Sequence, residues 1–466
     1  MITYENGLFI FRRDFRLIDN KGLNLANSLC KRIYPIFIFT PEQVTSTNKF
    51  KSDNAVQFMI ESLNDLSSQI NKMGGKLLCF YGNNDSIVSY LIKALNINLV
   101  CFNADYSPYA IQREIGIIKI CDSQGVGVEY GHDYYLHPPG TIVNSQGNTY
   151  QKFTPFYHAS LRKKVDLPDS LRKIHFSTSV NHLQHSITLD NAFRKFVVKE
   201  NIDILVHGGR TNAIKQMKIA SKNIKNYSKT RNHLAHPTSQ LSPYIKFGCI
   251  SIREVYKTFR TKHDFIRQLF WRDFYQSILY SFPHVLGDAL KPNYNKIKWH
   301  HNSNWFKKWC NGETGFPVVD AAMRELNTTG YCANRARLIV SSFLIKTLLI
   351  SWEEGEKYFA TKLTDYDPAS NNGNWQWTAG SGADSQPYFR IFNPWRQTEE
   401  YDPNCEYIKT WIPELASLDS KIIHNWDAEW ENYKDIKYPK PICNYNEQKE
   451  KCLKMYKEAL YATDRK

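Results

Sequence analysis

Nowhere does the chain run for roughly 18 uninterrupted apolar residues, so no segment is expected to cross a membrane as a helix. Its 10 cysteines form no CxxC pair and no paired spacing. That excludes a legible zinc site, or any other metal site, and a disulfide framework, and it points to a reducing intracellular compartment. The Met1 end enters a strand directly, without the charged-then-apolar pattern of a leader. No GxGxxG follows that first strand, which removes the usual dinucleotide signature. Internal repeats and low-complexity tracts are absent as well. Carboxylates are in short supply: 45 Asp and Glu against 60 Lys and Arg leave a net charge of +15 and a pI near 9.1. Such an excess raises the expectation of a polyanionic partner.

Aromatic side chains, by contrast, are plentiful, at 14% of the chain with 11 Trp and 28 Tyr. They supply large cores and, beyond that, stacking surfaces for planar ligands. With 42% hydrophobic residues over 466 positions, the composition is that of a soluble globular protein of two or three domains.

In residues 1–130, short apolar runs alternate with helical periods. Gly7–Phe11, Ile33–Phe39, Lys76–Tyr81, Leu99–Asn103 and Val126–Tyr130 read as strands, and Asn54–Met73, Ser86–Leu95 and Ile111–Ser123 as helices. Continuous apolar strands separated by helices predict a parallel sheet covered on both faces. Residues 131–207, with turn signals at His137–Gly140 and Asn144–Asn148, read as a long connection wrapped on the surface, in which the stretch FTPFYHASL packs. From 208 to 466 helical periods dominate. Ala336–Trp352 is apolar on nearly every side and reads as one buried helix, and the basic tail from Lys449 to Lys466 as a solvated amphipathic helix.

The stretch around which the rest is organised is Asp365–Trp377, DYDPASNNGNWQW. Asp-Pro and Asn-Asn-Gly are turn chemistry, and a loop of this composition can aim carboxamides at a flat polar ligand while the indoles exclude water. The plainer reading is a capped turn leading into a core helix. A second candidate is Thr238–Tyr244, whose hydroxyls and free amides before a helix suit a phosphate or simply begin a helix.

Taken with Phe270–Tyr275 (FWRDFY), Gly330–Arg337 (GYCANRAR), Pro387–Pro394 (PYFRIFNP) and the opening Phe11–Asn20 (FRRDFRLIDN), that stretch resembles the photolyase and cryptochrome family over most of the chain. Within it, the likeness is to class I cyclobutane pyrimidine dimer photolyases. The resemblance implies an N-terminal α/β domain of Rossmann-like, antenna type and an all-α C-terminal domain that binds FAD, reduced in the active form. It assigns the cofactor to Tyr227, Thr238, Ser239, Gln240, Leu241, Ser242, Arg337, Asp365, Tyr366, Asp367 and Asn371. Arg337 and Asp365 match an ion pair beside the isoalloxazine ring, where a reduced flavin anion needs a cation and a buried cation needs a partner. Asn371 matches the residue facing flavin N5; plant cryptochromes carry Asp there, so Asn points to the DNA-repairing branch.

The resemblance also aligns Trp375, Trp352 and Trp299 with a chain of three tryptophans that carries electrons to the flavin. Damaged DNA is the implied partner, met by Arg231, Gln268, Trp271, Arg272, Tyr275, Asn334, Arg335, Leu338, Trp377 and Gln397. Trp271 and Trp377 would sandwich a flipped-out pyrimidine pair, and Arg231 and Arg335 would hold flanking phosphates. Six-four photolyases carry a His pair where this chain has Asn334 and Leu338, which argues for cyclobutane dimers. Gln268 replaces the family's usual Glu and Leu338 its usual Met. Gln keeps the reach of the Glu and loses its charge, so repair efficiency rather than binding is affected. Tyr109 and Ala110 stand where folate-binding relatives carry Asn and Glu, so the resemblance speaks against a folate antenna and leaves a deazaflavin, a second flavin or no antenna. The expected protein is a monomer, without a long C-terminal extension, located wherever the DNA is.

Overall fold

The computed structural model describes residues 3–178 and 183–461; Met1, Ile2 and the last five residues of the basic tail lie outside the described residues. Five strands form one all-parallel sheet: β1 (Tyr4–Phe11), β2 (Cys30–Phe39), β3 (Leu78–Tyr81), β4 (Leu99–Asn103) and β5 (Gly127–Gly131), in the order β3-β2-β1-β4-β5. The register sets Ile10 against Ile36 on one side of β1 and against Phe102 on the other. β4 is buried at every position, as a strand covered on both faces must be. All five strands match the apolar runs, with ends shifted by up to three residues. The helices Asp53–Lys72, Asn84–Ala94 and Pro108–Ser123 match theirs, and a helix at Lys21–Leu29, not anticipated, is capped by the Asn20 side chain on the Leu23 amide.

The connecting stretch carries helices at Phe153–Leu161 and Leu189–Phe196, and it bridges to the sheet at Ile33–Phe176 and Phe80–Ser186. Phe153 and Phe156 are buried, so FTPFYHASL does pack. From Arg210 onward all described elements are helical, and no helix among the described residues is long and apolar enough to cross a membrane. The tail helix, Tyr445–Tyr461, is less solvated than expected, because Cys452 and Tyr456 turn into the core.

Two expectations need correction. The run Ala336–Trp352 is not one helix. Asn334–Ser342 is α-helical, Phe343–Thr347 widens into a π turn, Leu349 takes a left-handed φ of +59°, and a new helix starts at Trp352. The break was encoded in Ser351-Trp-Glu-Glu: Ser351 caps the Glu353 amide, and Glu353 and Glu354 sit in the first turn, where the helix dipole favours acids. Likewise Asn371–Trp377 is not a loop. Asp367 caps the Ser370 amide at 3.0 Å, Pro368 takes the first helical position, and the helix runs Pro368–Ala379. The plainer reading of that stretch holds.

The α/β and helical parts share a buried polar seam. FRRDFRLIDN supplies Arg16, which meets Asp133 at 2.5 Å, and Asp19, which with Asp133 receives Arg253 from the helix Ile252–Phe259 at 3.0 and 2.6 Å. Removing one member of such a set strands a buried charge, at a cost of about 3–5 kcal/mol. Apolar contacts reinforce the seam: Phe58 of the α/β domain packs on Tyr244 and Phe247, with ring centroids 5.3 Å apart in both pairs.

Candidate functional site

Strands β1 and β4 lie side by side, and the sheet is built outward from them in opposite directions, which makes the crevice beyond their C-terminal ends the place for a ligand. Arg13 follows β1 there and Asp105 follows β4. Arg13 donates to Asp105 at 2.6 Å, to the Tyr135 hydroxyl at 2.9 Å and, across the seam, to Asp367 at 3.1 Å. A cavity of about 730 Å³ opens beside this junction, lined among others by Phe50, Tyr109, Arg113, Lys246, Phe247 and Tyr366. Burial alone would raise the Asp367 carboxyl, but Arg13, Lys246 and Arg272 outweigh it and hold it at about 2. Burial lowers Lys246 to about 8, helped by Arg13, and lowers Arg113 to about 10, helped by Arg12. Nε and Nη2 of Arg113 are buried without a hydrogen-bond partner. A cavity walled by rings and underpaired cations suits a planar anion.

On the other side of Asp367, the helix Asn334–Ser342 and the segment before Pro368 bring Arg337 and Asp365 together. Both carboxylate oxygens accept from Arg337 Nη2 at 3.0 Å, and Nε donates to the Cys332 carbonyl at 2.6 Å. The Arg337 side chain remains 31% exposed, so its outer edge is open to a ligand. Asn371 donates one amide N–H to the Glu356 main-chain oxygen at 3.0 Å, which leaves its oxygen and its second N–H available. The turn Thr238–Leu241 is held from behind by Asn223 and Gln216, which donate to the carbonyls of Thr238 and Ser239 at 3.3 and 2.9 Å. Gln240 has a φ of +52°, and among the described residues no acceptor meets the amides of Ser239 and Gln240. Tyr227 stands edge-on to Phe265 at 5.5 Å. Open amides, a half-open Arg–Asp pair and an amide oxygen form a donor set that fits a flavin with its diphosphate.

Trp375 is buried against Gly355 and edge-on to Phe359 at 5.2 Å; Trp352 is buried in the first turn of its helix, and Trp299 is half-buried, edge-on to Tyr456 at 6.0 Å. The indole that touches Trp375 is neither of these but Trp309, fully buried at 6.3 Å.

The helix His263–Ser281 carries Gln268, Trp271, Arg272 and Tyr275 at helical spacing. Gln268 is half-buried and donates to the Asp264 carbonyl at 3.1 Å. One face of the Trp271 indole lies flat on Phe153, with centroids 3.8 Å apart and planes 6° apart. Arg272 is partly exposed, with its guanidinium turned inward. It donates to the Tyr134 carbonyl at 2.6 Å and sits over the Tyr135 ring, drawn inward by the buried carboxylates of the seam. Tyr275 is also interior, packed so closely on Gly373 that a Cβ there would meet its ring at 2.2 Å. Asn334 is exposed, and Leu338 and Trp377 are half-buried. Arg335 lies over the Tyr401 ring at 4.1 Å and donates to Gln397 at 3.3 Å and Asn232 at 3.1 Å. Arg231 is half-buried and hydrogen-bonds with Tyr227.

Arg13, Asp105, Lys246, Glu356, Phe153 and Trp309 were missed by the sequence reading. For Arg13 and Asp105 a signal existed, since both directly follow apolar strands, where crevice ligands bind. The others come from elements distant in sequence, and no local pattern brings them to the site.

Comparison with known proteins gives a consistent result. Residues 8–172 match the family model for DNA photolyase and residues 265–458 that for the FAD binding domain of DNA photolyase. The chain is 34% identical to the deoxyribodipyrimidine photo-lyase of Buchnera aphidicola subsp. Baizongia pistaciae, over 97% of this chain and 98% of that one. Among solved structures, the archaeal photolyase from Sulfolobus tokodaii with two FAD molecules superposes with a TM-score of 0.88 at 38% identity, covering 97% of this chain and 100% of that one. The cryptochrome of Synechocystis sp. PCC6803 superposes with a TM-score of 0.87 at 27% identity, covering 98% and 99%.

Proposed function

The chain belongs to the DNA photolyase family, and on that premise we propose that it is a deoxyribodipyrimidine photo-lyase, splitting cyclobutane pyrimidine dimers in damaged DNA under blue light. The observation that carries the lesion side of this reading is Trp271. One indole face is seated on Phe153, and Tyr275 and Phe274 pack on the same ring at 5.5 Å. The side chain is still partly exposed, so the indole is held in place for an extruded base to stack on. Trp377, Asn334 and Gln268 complete the pocket, with Arg231 and Arg335 on the flanking phosphates. Tyr275 and Arg272 support the pocket from inside.

FAD, when bound in its reduced form, supplies the electron that opens the cyclobutane ring and takes it back afterwards. The protein's part is to hold and tune. The amides of Ser239 and Gln240 take the diphosphate, with Thr238, Leu241 and Ser242 shaping the turn and Tyr227 closing it. Arg337, kept charged by Asp365, balances negative charge on the ring system. Asn371 has one amide N–H tied to Glu356, which fixes its side chain beside the ring edge, where it can hydrogen-bond and cannot titrate. Asp367 serves as cap and seam partner, with Tyr366 on the cavity side. Trp375, Trp352 and Trp299 form the route by which electrons arrive from the surface, and Trp309 is a side branch without an exposed end.

The cavity beyond β1 and β4 suits a second, light-collecting chromophore. Lys246 and Arg113 favour one that bears phosphate, such as a second flavin, while Tyr109 and Ala110 disfavour folate. The α/β domain would then be the antenna and the helical domain the repair centre, in an intracellular, monomeric protein. The likeness to a cryptochrome supports a second reading, a photoreceptor that signals through a partner. Irradiating the photoreduced protein on oligonucleotides carrying either one cyclobutane thymine dimer or one six-four lesion separates these readings. Restoration of the dimer alone is expected. Restoration of the six-four lesion alone would reassign the substrate, and restoration of neither by a photoreducible protein would favour the photoreceptor.

A further inference from the structure

A second cavity, of about 570 Å³, lies between the 390–393 turn, the helix Pro394–Tyr401 and the start of the helix Tyr445–Tyr461. Its walls carry Arg335, Arg390, Arg396 and Lys449 against one carboxylate, Glu400. Among the described residues, none of the four cations has a carboxylate within 4.0 Å. We propose that this pocket is an anchoring site for a DNA backbone phosphate outside the lesion pair, formed by Arg396 and Lys449 next to Arg335.

The proposal rests on the repair reading above, and three observations support it. Arg335 is fixed before any ligand arrives: its guanidinium lies over Tyr401 at 4.1 Å, and its two donated hydrogen bonds end on the neutral side chains of Gln397 and Asn232. Its Nε is buried with no partner, so charge and donor capacity are both left over. Burial disfavours its charge and Arg231 and Arg390 repel it, while Glu400 is the one carboxylate that offsets them, so four cations share a single counter-anion. Arg390, Arg396 and Lys449 are exposed, so the missing anion can come from outside. A phosphodiester accepts from several guanidinium and ammonium donors at once and matches arginine forks. Arg335 directly follows Asn334, so the pocket continues the surface that meets the lesion. Placing the C-terminal helix on the DNA lengthens the footprint beyond the extruded bases, and a phosphate held there would fix the strand's direction across the protein.

The test measures binding of the FAD-loaded protein to a duplex with one thymine dimer, as a function of salt, for wild type and the double variant Arg396→Ala/Lys449→Ala. Flavin absorption reports that the variant is folded and loaded. Losing one phosphate contact is expected to reduce the slope of log K against log salt by about 0.9 and to weaken binding roughly tenfold near 0.1 M salt. The charge-keeping pair Arg396→Lys/Lys449→Arg is expected to restore the slope. An unchanged slope and affinity in the alanine double variant, with wild type still preferring the dimer, overturns the pocket. If wild type shows no preference for the dimer, the repair reading fails instead. The same comparison on undamaged duplex then still decides the pocket, since a phosphate contact does not depend on the lesion.

Discussion

Asp367→Asn isolates one charge in the seam. The substitution is isosteric, and Asn caps a helix as well as Asp does, so the bond to the Ser370 amide survives and only the charge is lost. In the folded protein the carboxyl sits at about 2 against an ordinary 3.8. A fall of nearly two units is worth about 2 kcal/mol in favour of the charged form. Removing it also leaves Arg13, Lys246 and Arg272 facing one anion fewer, which in other buried pairs costs about 3–5 kcal/mol. Arg13 keeps Asp105 at 2.6 Å, so the loss belongs near the lower end, at about 2–3 kcal/mol. Urea unfolding at pH 7 followed by circular dichroism reads this difference. Because the folded pKa is depressed, the stabilisation is fully present above pH 3.8 and is lost as pH falls toward 2, so variant and wild type should converge on acidification. The double variant with Arg13→Gln should show coupling of about 1–3 kcal/mol. A loss below about 0.5 kcal/mol at pH 7, or a gap that stays constant from pH 4 to pH 2, would refute the argument.

Other expectations follow from single contacts. Gln268→Glu should raise the quantum yield of dimer repair, since it restores the carboxylate the family uses; an equal yield in both proteins sinks the idea. Gly355→Ala places a Cβ 2.2 Å from Trp375 Cη2, so it should displace that indole and slow photoreduction at least tenfold, read by flavin absorbance under blue light. Trp352→Phe should stop photoreduction and Trp309→Phe should leave it largely intact; the reverse result would move the electron route to the buried branch. Phe153→Ala removes the backing of Trp271 and should weaken binding of a dimer-containing oligonucleotide about tenfold more than it weakens binding of undamaged DNA, a loss of stacking near 1.4 kcal/mol.

The parts legible in the sequence are those with a local cause. Each strand of the sheet is a short apolar run because both of its faces are covered, and that needs no tertiary knowledge. Arg337 and Asp365 were paired in advance only through the family likeness, since nothing in their 28-residue separation indicates a bidentate contact. Helix ends were the weak point. Ser351 and Asp367 both carry cap chemistry, yet apolar content around the first and Asn-Gly content after the second mask the signal of a single capping residue. The inward turn of Arg272 is hidden for a different reason. A guanidinium in the middle of an aromatic motif reads as a surface cation, and only the fold shows that it turns inward onto Tyr134 and Tyr135.

The shared salt links have a consequence for modularity. Asp19 and Asp133 belong to the first third of the chain and Arg253 to the helical part, as Arg13 does to the first and Asp367 to the second. A helical fragment produced alone would carry Arg253 and Asp367 without their counter-charges, and an α/β fragment the reverse. Chimeras that exchange the α/β half between relatives should therefore fold only when both sides of each link travel together. The two halves behave as one inherited unit, whatever their separate tasks.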